Sequence, residues 1–164
     1  MDSMETESAR PQPLDLRTWL EAVLKTKSLL EPDEIAISRA LRKTFYLSQL
    51  APDPFTPIFA TECAEDSFER LLDEGDLQGA ACALFPPGLE IEVAKPDGKF
   101  IAIALASQIG GTGTGISSHP AAALLEAWFA CVSSGAAHQA DASAALNRDQ
   151  HKSLSESHRS STQH

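Results

Sequence analysis

Leu89-Glu90-Ile91-Glu92-Val93-Ala94 and Phe100-Ile101-Ala102-Ile103-Ala104-Leu105-Ala106 are two β-type runs separated by Lys95-Pro96-Asp97-Gly98-Lys99. In the first run, apolar residues alternate with Glu90, Glu92 and Ala94, the period of a strand with one wet face. Pro96-Asp97-Gly98 supplies the turn, since proline presets one corner and glycine accepts the left-handed conformation that follows. The second run is apolar at every position. It is expected inside the sheet or covered on both faces.

Upstream of this hairpin the periodicity changes to that of helices. Leu16, Trp19, Leu20, Val23 and Leu24 form one stripe, which predicts a helix over about 15–26. A second helix is expected to open at Glu31-Pro32-Asp33-Glu34, with Pro32 in the first helical position. Ile37, Ala40, Leu41, Thr44, Phe45 and Ser48 mark its inner face, and it should stop before Pro52. Residues 14–50 therefore read as a helical hairpin. Asp53-Pro54-Phe55-Thr56-Pro57 reads as extended punctuation, because each proline biases the preceding residue away from the helix. Thr61 to Glu74 follows as a third helix with Phe68, Leu71 and Leu72 inward and Gly75 at its stop. Ala80 to Phe85 fits either a short strand or a continued helix.

Downstream, Ile109 to Ser118 reads as a flexible connecting loop. Pro120 to Ser134 then reads as a helix ending near Gly135. With Glu126 its one charge, and with Leu124, Leu125, Trp128, Phe129 and Val132 spread around it, this helix should be buried against two surfaces. Residues 1–13 and 135–164 are expected to be largely disordered, with at most a weak helix over 136–147. The fold class that results is α+β: a small αββα sandwich over 57–134, an antiparallel hairpin covered by helices, preceded by the helical hairpin.

The chain has 164 residues, 43% of them hydrophobic and 22% charged, enough for a substantial core. Its net charge of -10 argues against a partner whose phosphates must be neutralised, so no nucleic acid is expected. Residues 63 to 134 hold ten acids against three bases. Glu62, Glu65, Asp66, Glu69, Asp73 and Glu74 cluster on the outer side of the third helix. They read as a solvated face or as a surface for a basic partner. The N-terminal Met1-Asp2-Ser3-Met4-Glu5-Thr6-Glu7 lacks a signal-peptide pattern, and the longest apolar run, Phe100 to Ala106, is far short of a membrane span. Cys63, Cys82 and Cys131 are scattered and odd in number, as expected of reduced thiols acting as small buried hydrophobes. A cytoplasmic location is the expectation.

A few residue groups have the makings of chemistry. Gly110-Gly111-Thr112-Gly113-Thr114-Gly115-Ile116-Ser117 fits a phosphate-loop spacing, except that Ile116 stands where the template needs lysine. His119 lies beside Pro120 at a helix start, next to Ser117 and Ser118, whereas His138, His151, His158 and His164 fall in the tail. Glu90 and Glu92 share a strand face, which suits paired carboxylates but also ordinary edge protection. None forms a catalytic set. No catalytic, cofactor-binding or metal residue is assigned, and no cofactor is expected.

Pro57 to Ser134 resembles the phage ABA sandwich domain, a small αββα module of bacteriophage and prophage genomes. The likeness rests on the helix after the Pro-Phe-Thr-Pro entry, the hairpin over 89–106, and His119-Pro120-Ala121-Ala122-Ala123-Leu124-Leu125-Glu126-Ala127-Trp128, which is similar to that family's closing helix. The glycine-rich segment before this helix departs from the pattern. The resemblance implies a phage accessory protein without established activity, with no functional residues to carry over. Together with the missing catalytic set and the acidic face, it leads to the expectation of a non-enzymatic accessory protein that acts by contact with another protein, and the short apolar runs to that of no membrane partner. The alternative is a small-molecule or nucleotide binder using Gly110 to Ser117.

Overall fold

A computed structural model describes residues 11–160. The expected disorder of the N-terminus falls largely on residues outside this range, and 161–164 lie outside it too. The fold is α+β. Helices α1 (Leu16–Ser28), α2 (Glu34–Gln49), α3 (Thr56–Phe59), α4 (Glu65–Asp73) and α5 (Leu77–Cys82) precede strands β1 (Glu90–Ala94), β2 (Phe100–Ala106) and β3 (Gly111–Ser117), and α6 (Pro120–Ser160) closes the chain.

Local chemistry sets the helix ends. The Asp15 carboxylate accepts from the Thr18 N–H and caps α1, and Asp33 does the same for α2 through Ala36. Pro32 therefore lies before the cap, in the connecting turn, and not in the first helical position. The α2 inner face is as the periodicity predicts, with Ile37, Ala40, Leu41, Thr44, Phe45 and Ser48 all buried. On α1 only part of the stripe goes inside: Trp19 and Val23 are buried, whereas Leu16 and Leu24 are exposed. The helix is covered over a narrower arc than its apolar residues would allow.

Several elements differ from the sequence reading. Thr56 and Pro57, expected to be extended, fall in one helical turn over Thr56–Phe59, with Pro57 among its first positions, where the missing N–H is not needed. The helix predicted over 61–74 begins only at Glu65. Thr61 is drawn away, its hydroxyl donating to the Ala83 carbonyl at 2.6 Å. The ambiguous 80–85 segment is the end of helix α5 and the turn after it, with Asp76 capping α5 through Gly79. The hairpin corner is left-handed at both Asp97 and Gly98 (φ 51° and 79°), so Asp97-Gly98 forms the tight turn and Pro96 precedes it.

The largest corrections are downstream. Gly111 to Ser117 is not a flexible connector but a third strand, giving an antiparallel sheet of order β1-β2-β3. Helix α6 does not stop at Gly135, and 135–160 are helical instead of tail. Gly135 serves close packing, since a Cβ there would strike the Ile109 side chain.

The layers follow from these elements. Helix α6 lies on one face of the sheet, and α1, α2 and α5 pack against α6 from the side away from the sheet. The N-terminal half of α6 is therefore enclosed: Leu124, Leu125, Trp128, Phe129 and Val132 are all buried, as an all-round apolar helix requires. Trp128 meets Trp19, Phe59 and Phe129 edge-on at centroid distances of 6.4, 5.3 and 5.6 Å. Among the described residues α6 is the one helix long and apolar enough to cross a membrane, and 61% of its most apolar window is buried inside the fold.

Candidate functional site: the outer face of the sheet

Strand pairing sorts the sheet into two faces. Glu92 pairs with Ile103 and Ile103 with Thr114. Glu90, Leu105 and Thr112 form the next row, and Ala94, Ile101 and Ile116 the third. Alternate residues form the other face: Ile91, Ala104 and Gly113 in one row, Val93, Ala102 and Gly115 in another, with Ala106 opposite Gly111.

The inner face tapers. Side chains shrink from Ile or Val on β1, through Ala on β2, to Gly on β3. Helix α6 therefore seats hardest against β3. A Cβ on Gly113 would run into the Ala127 carbonyl and the Cys131 N–H, and one on Gly115 into the Ala123 carbonyl. The glycines allow a helix backbone to lie against a strand backbone. The free edge of β3 is closed by the same helix: the Thr112 N–H donates to Ser134 Oγ at 3.3 Å, and the Ile116 N–H to Glu126 Oε2 at 3.0 Å. Sequence reasoning missed this role for Glu126. Its signal was there, as the lone charge in an apolar helix.

The glycine segment thus has a packing task. An extended strand spreads its N–H groups along two edges, whereas a phosphate cradle needs them to converge. A depression of about 330 Å³ does lie at the end of β3, lined by Leu30, Lys99, Ile116, Ser117, Ser118 and Glu126 among others. The Glu126 carboxylate that reaches the Ile116 N–H would oppose an anion there.

Among the described residues nothing covers the outer face. Ile103 is 47% exposed, Leu105 39% and Ile116 53%, with Glu90 and Glu92 along one side and Thr112 and Thr114 along the other. Strand β2 is interior to the sheet, as its composition predicts, yet only one of its faces is buried. Contiguous aliphatic side chains on a solvent-facing sheet are a recognised mark of a contact surface.

The other predicted residues are dispersed. Glu90 and Glu92 are exposed on this face, His119 is half-buried at the start of α6 with its N–H donating to Ser117 Oγ, and His138 lies against Gly110. Among the described residues no three His, Cys, Asp or Glu side chains come together as a metal-ligand group. Part of the α4 acidic face is engaged within the chain. Arg42 donates twice to Glu69, both bonds 2.9 Å, which holds the Glu69 carboxyl below its ordinary range and raises the Arg42 guanidinium. Tyr46 donates to Glu65 at 2.7 Å, and that bond raises its phenol. Of the thiols, Cys131 alone is buried; Cys63 is intermediate and Cys82 exposed, so the reading of three buried thiols holds for one.

No known protein family, curated protein or solved structure matches this chain.

Proposed function

We propose that this chain is a non-enzymatic accessory protein of the phage or prophage type, which works by protein–protein contact through the outer face of its sheet. The observation that carries the reading is the exposed aliphatic patch of Ile103 and Leu105 on β2 and Ile116 on β3, on one face of the sheet. The acidic balance of the chain favours a protein partner over nucleic acid. The phage assignment rests on the likeness of 57–134 to the phage ABA sandwich domain.

The test compares full-length protein with Ile103→Glu as immobilised baits in a lysate of the cell that carries the gene. Each captured protein is then purified and its binding measured directly. A partner held by the parent and lost by the variant supports the reading. Partners held equally by both overturn the assignment of the face. Turnover of a substrate by the purified protein overturns the non-enzymatic reading.

A further inference from the structure

Two parts of this chain lack what the other could supply. Among the described residues the sheet has a helix on its inner face only. Helix α6 has a sheet beneath it only as far as Gln139, whose side-chain amide donates to the Ile109 carbonyl at 3.4 Å where β2 turns into β3. Residues 140–160 run on past that turn as helix. At about 1.5 Å per residue they extend roughly 31 Å, and a seven-residue strand spans about 23 Å. The projecting helix is long enough to cross a sheet of this size. At about 100° per residue, Ser143, Leu146, Gln150 and Leu154 share one side of it, and Asp141, Arg148, Asp149 and Lys152 lie elsewhere around the helix. The two leucines on this uncharged side, Leu146 and Leu154, are 66% and 63% exposed.

Resting on the reading of the outer face as a contact surface, we infer that its occupant is the 140–160 helix of a second copy of this chain, exchanged reciprocally in a two-fold dimer. The symmetry closes. Going from Gly115 through Gly113 to Gly111, the strand meets Ala123, Ala127 and Cys131 in turn, so α6 runs antiparallel to β3 and leaves over the β2–β3 turn. Two copies set end to end at these turns, with a two-fold axis in the plane of the sheets and across the strands, place their α6 helices on opposite faces. Each helix then continues from its own sheet's inner face onto the partner's outer face. Each sheet gains a helical layer over its aliphatic outer face, and the two copies contribute the same surfaces to the contact.

Area favours this over the simpler pairings. A three-stranded face of this length offers roughly 300 Å² in projection. One sheet stacked on another would bury about 600 Å² in total, below the roughly 1,200 Å² at which specific interfaces begin, whereas two helix-on-sheet contacts reach about that size. The chain's own first ten residues are a poorer cover, because three acids against one base would meet Glu90 and Glu92.

The experiment is light scattering on the full-length protein across a concentration series, with Ile103→Glu, Leu146→Glu and their equimolar mixture. The parent is expected at about twice 17.5 kDa. Each single variant should weaken dimerisation at least tenfold while keeping the native circular-dichroism spectrum, since both side chains are exposed; its melt should fall only by the stabilisation that dimerisation lends the parent. The mixture should regain dimer, because the intact Leu146 helix of one chain meets the intact Ile103 face of the other. A monomeric parent overturns the inference and leaves the heterologous-contact reading to its own capture test. A dimer indifferent to Leu146→Glu, or a mixture without recovery, also overturns it.

Discussion

The backbone of Gly113 in β3 lies against the carbonyl of Ala127 in α6 with no room for a side chain between them. A methyl group there cannot be absorbed by a rotamer change, because both neighbours are main chain. Gly113→Ala is therefore expected to push the helix off the sheet and lower stability by about 2–3 kcal/mol, the upper range for overpacking. Thr114→Ala, one residue away on the exposed face, should stay within about 0.5 kcal/mol. Urea denaturation of the two variants checks the contrast. Equal midpoints would show that the helix is not seated on the glycines.

Two buried indoles should respond differently to losing their N–H. Trp19 donates to the Leu47 carbonyl at 2.7 Å, whereas Trp128 Nε1 has no hydrogen-bond partner among the described residues. Replacement by Phe removes similar volume at either site. At 19 it also removes one of the two hydrogen bonds that the Leu47 carbonyl accepts, the other coming from the Leu50 N–H at 3.1 Å, so Trp19→Phe should cost about 0.5–1.5 kcal/mol more than Trp128→Phe. Chemical denaturation of both variants measures the difference. At the neighbouring Phe129, fully buried, truncation to Ala should cost about 3–5 kcal/mol.

The same residues show what could be seen in the chain alone. The helical hairpin, the β1–β2 hairpin and the burial of Leu124, Leu125, Trp128, Phe129 and Val132 all follow from apolar spacing, because the apolar side of each element must be dry. Gly111 to Ser117 hid its strand. Alternating glycine carries no apolar period, and its reason for being glycine is a helix backbone that comes later in the chain. The continuation of α6 past Gly135 was hidden likewise, since glycine there answers to Ile109 and not to a helix stop. The candidate face was half legible: Ile103 and Leu105 read as apolar, but only the layer order decides that nothing among the described residues covers them.

Acid should dissolve one surface tie. The double hydrogen bond from Arg42 depresses the Glu69 carboxyl, so its stabilisation is full above the ordinary carboxylate value of about 4.3. It is lost as pH falls through the lower, folded-state value. Arg42→Gln should therefore melt below the parent at pH 7 by a modest margin, and the gap should close as pH drops well below the ordinary carboxylate range. Paired thermal melts at neutral pH and at about pH 3 measure it. A gap that persists in acid would assign the effect to packing of the Arg42 stem.

Thiol reactivity should separate the cysteines by position. Burial pushes the Cys131 thiol up to about 11, and its side chain sits between α6 and the sheet with no exposed surface. Cys82 is exposed at the end of α5, with a smaller rise whose main cause is again burial. The thiolate is the reactive form, so at about pH 8 both access and ionisation protect Cys131. A mass-spectrometric time course with iodoacetamide should label Cys82 in the native protein and leave Cys131 unmodified until denaturant is added. Gly113→Ala, which loosens α6 from β3, should bring Cys131 labelling forward without changing the rate at Cys82. Native labelling of Cys131 in the parent at the Cys82 rate would mean that α6 separates from the sheet on the time scale of the reaction.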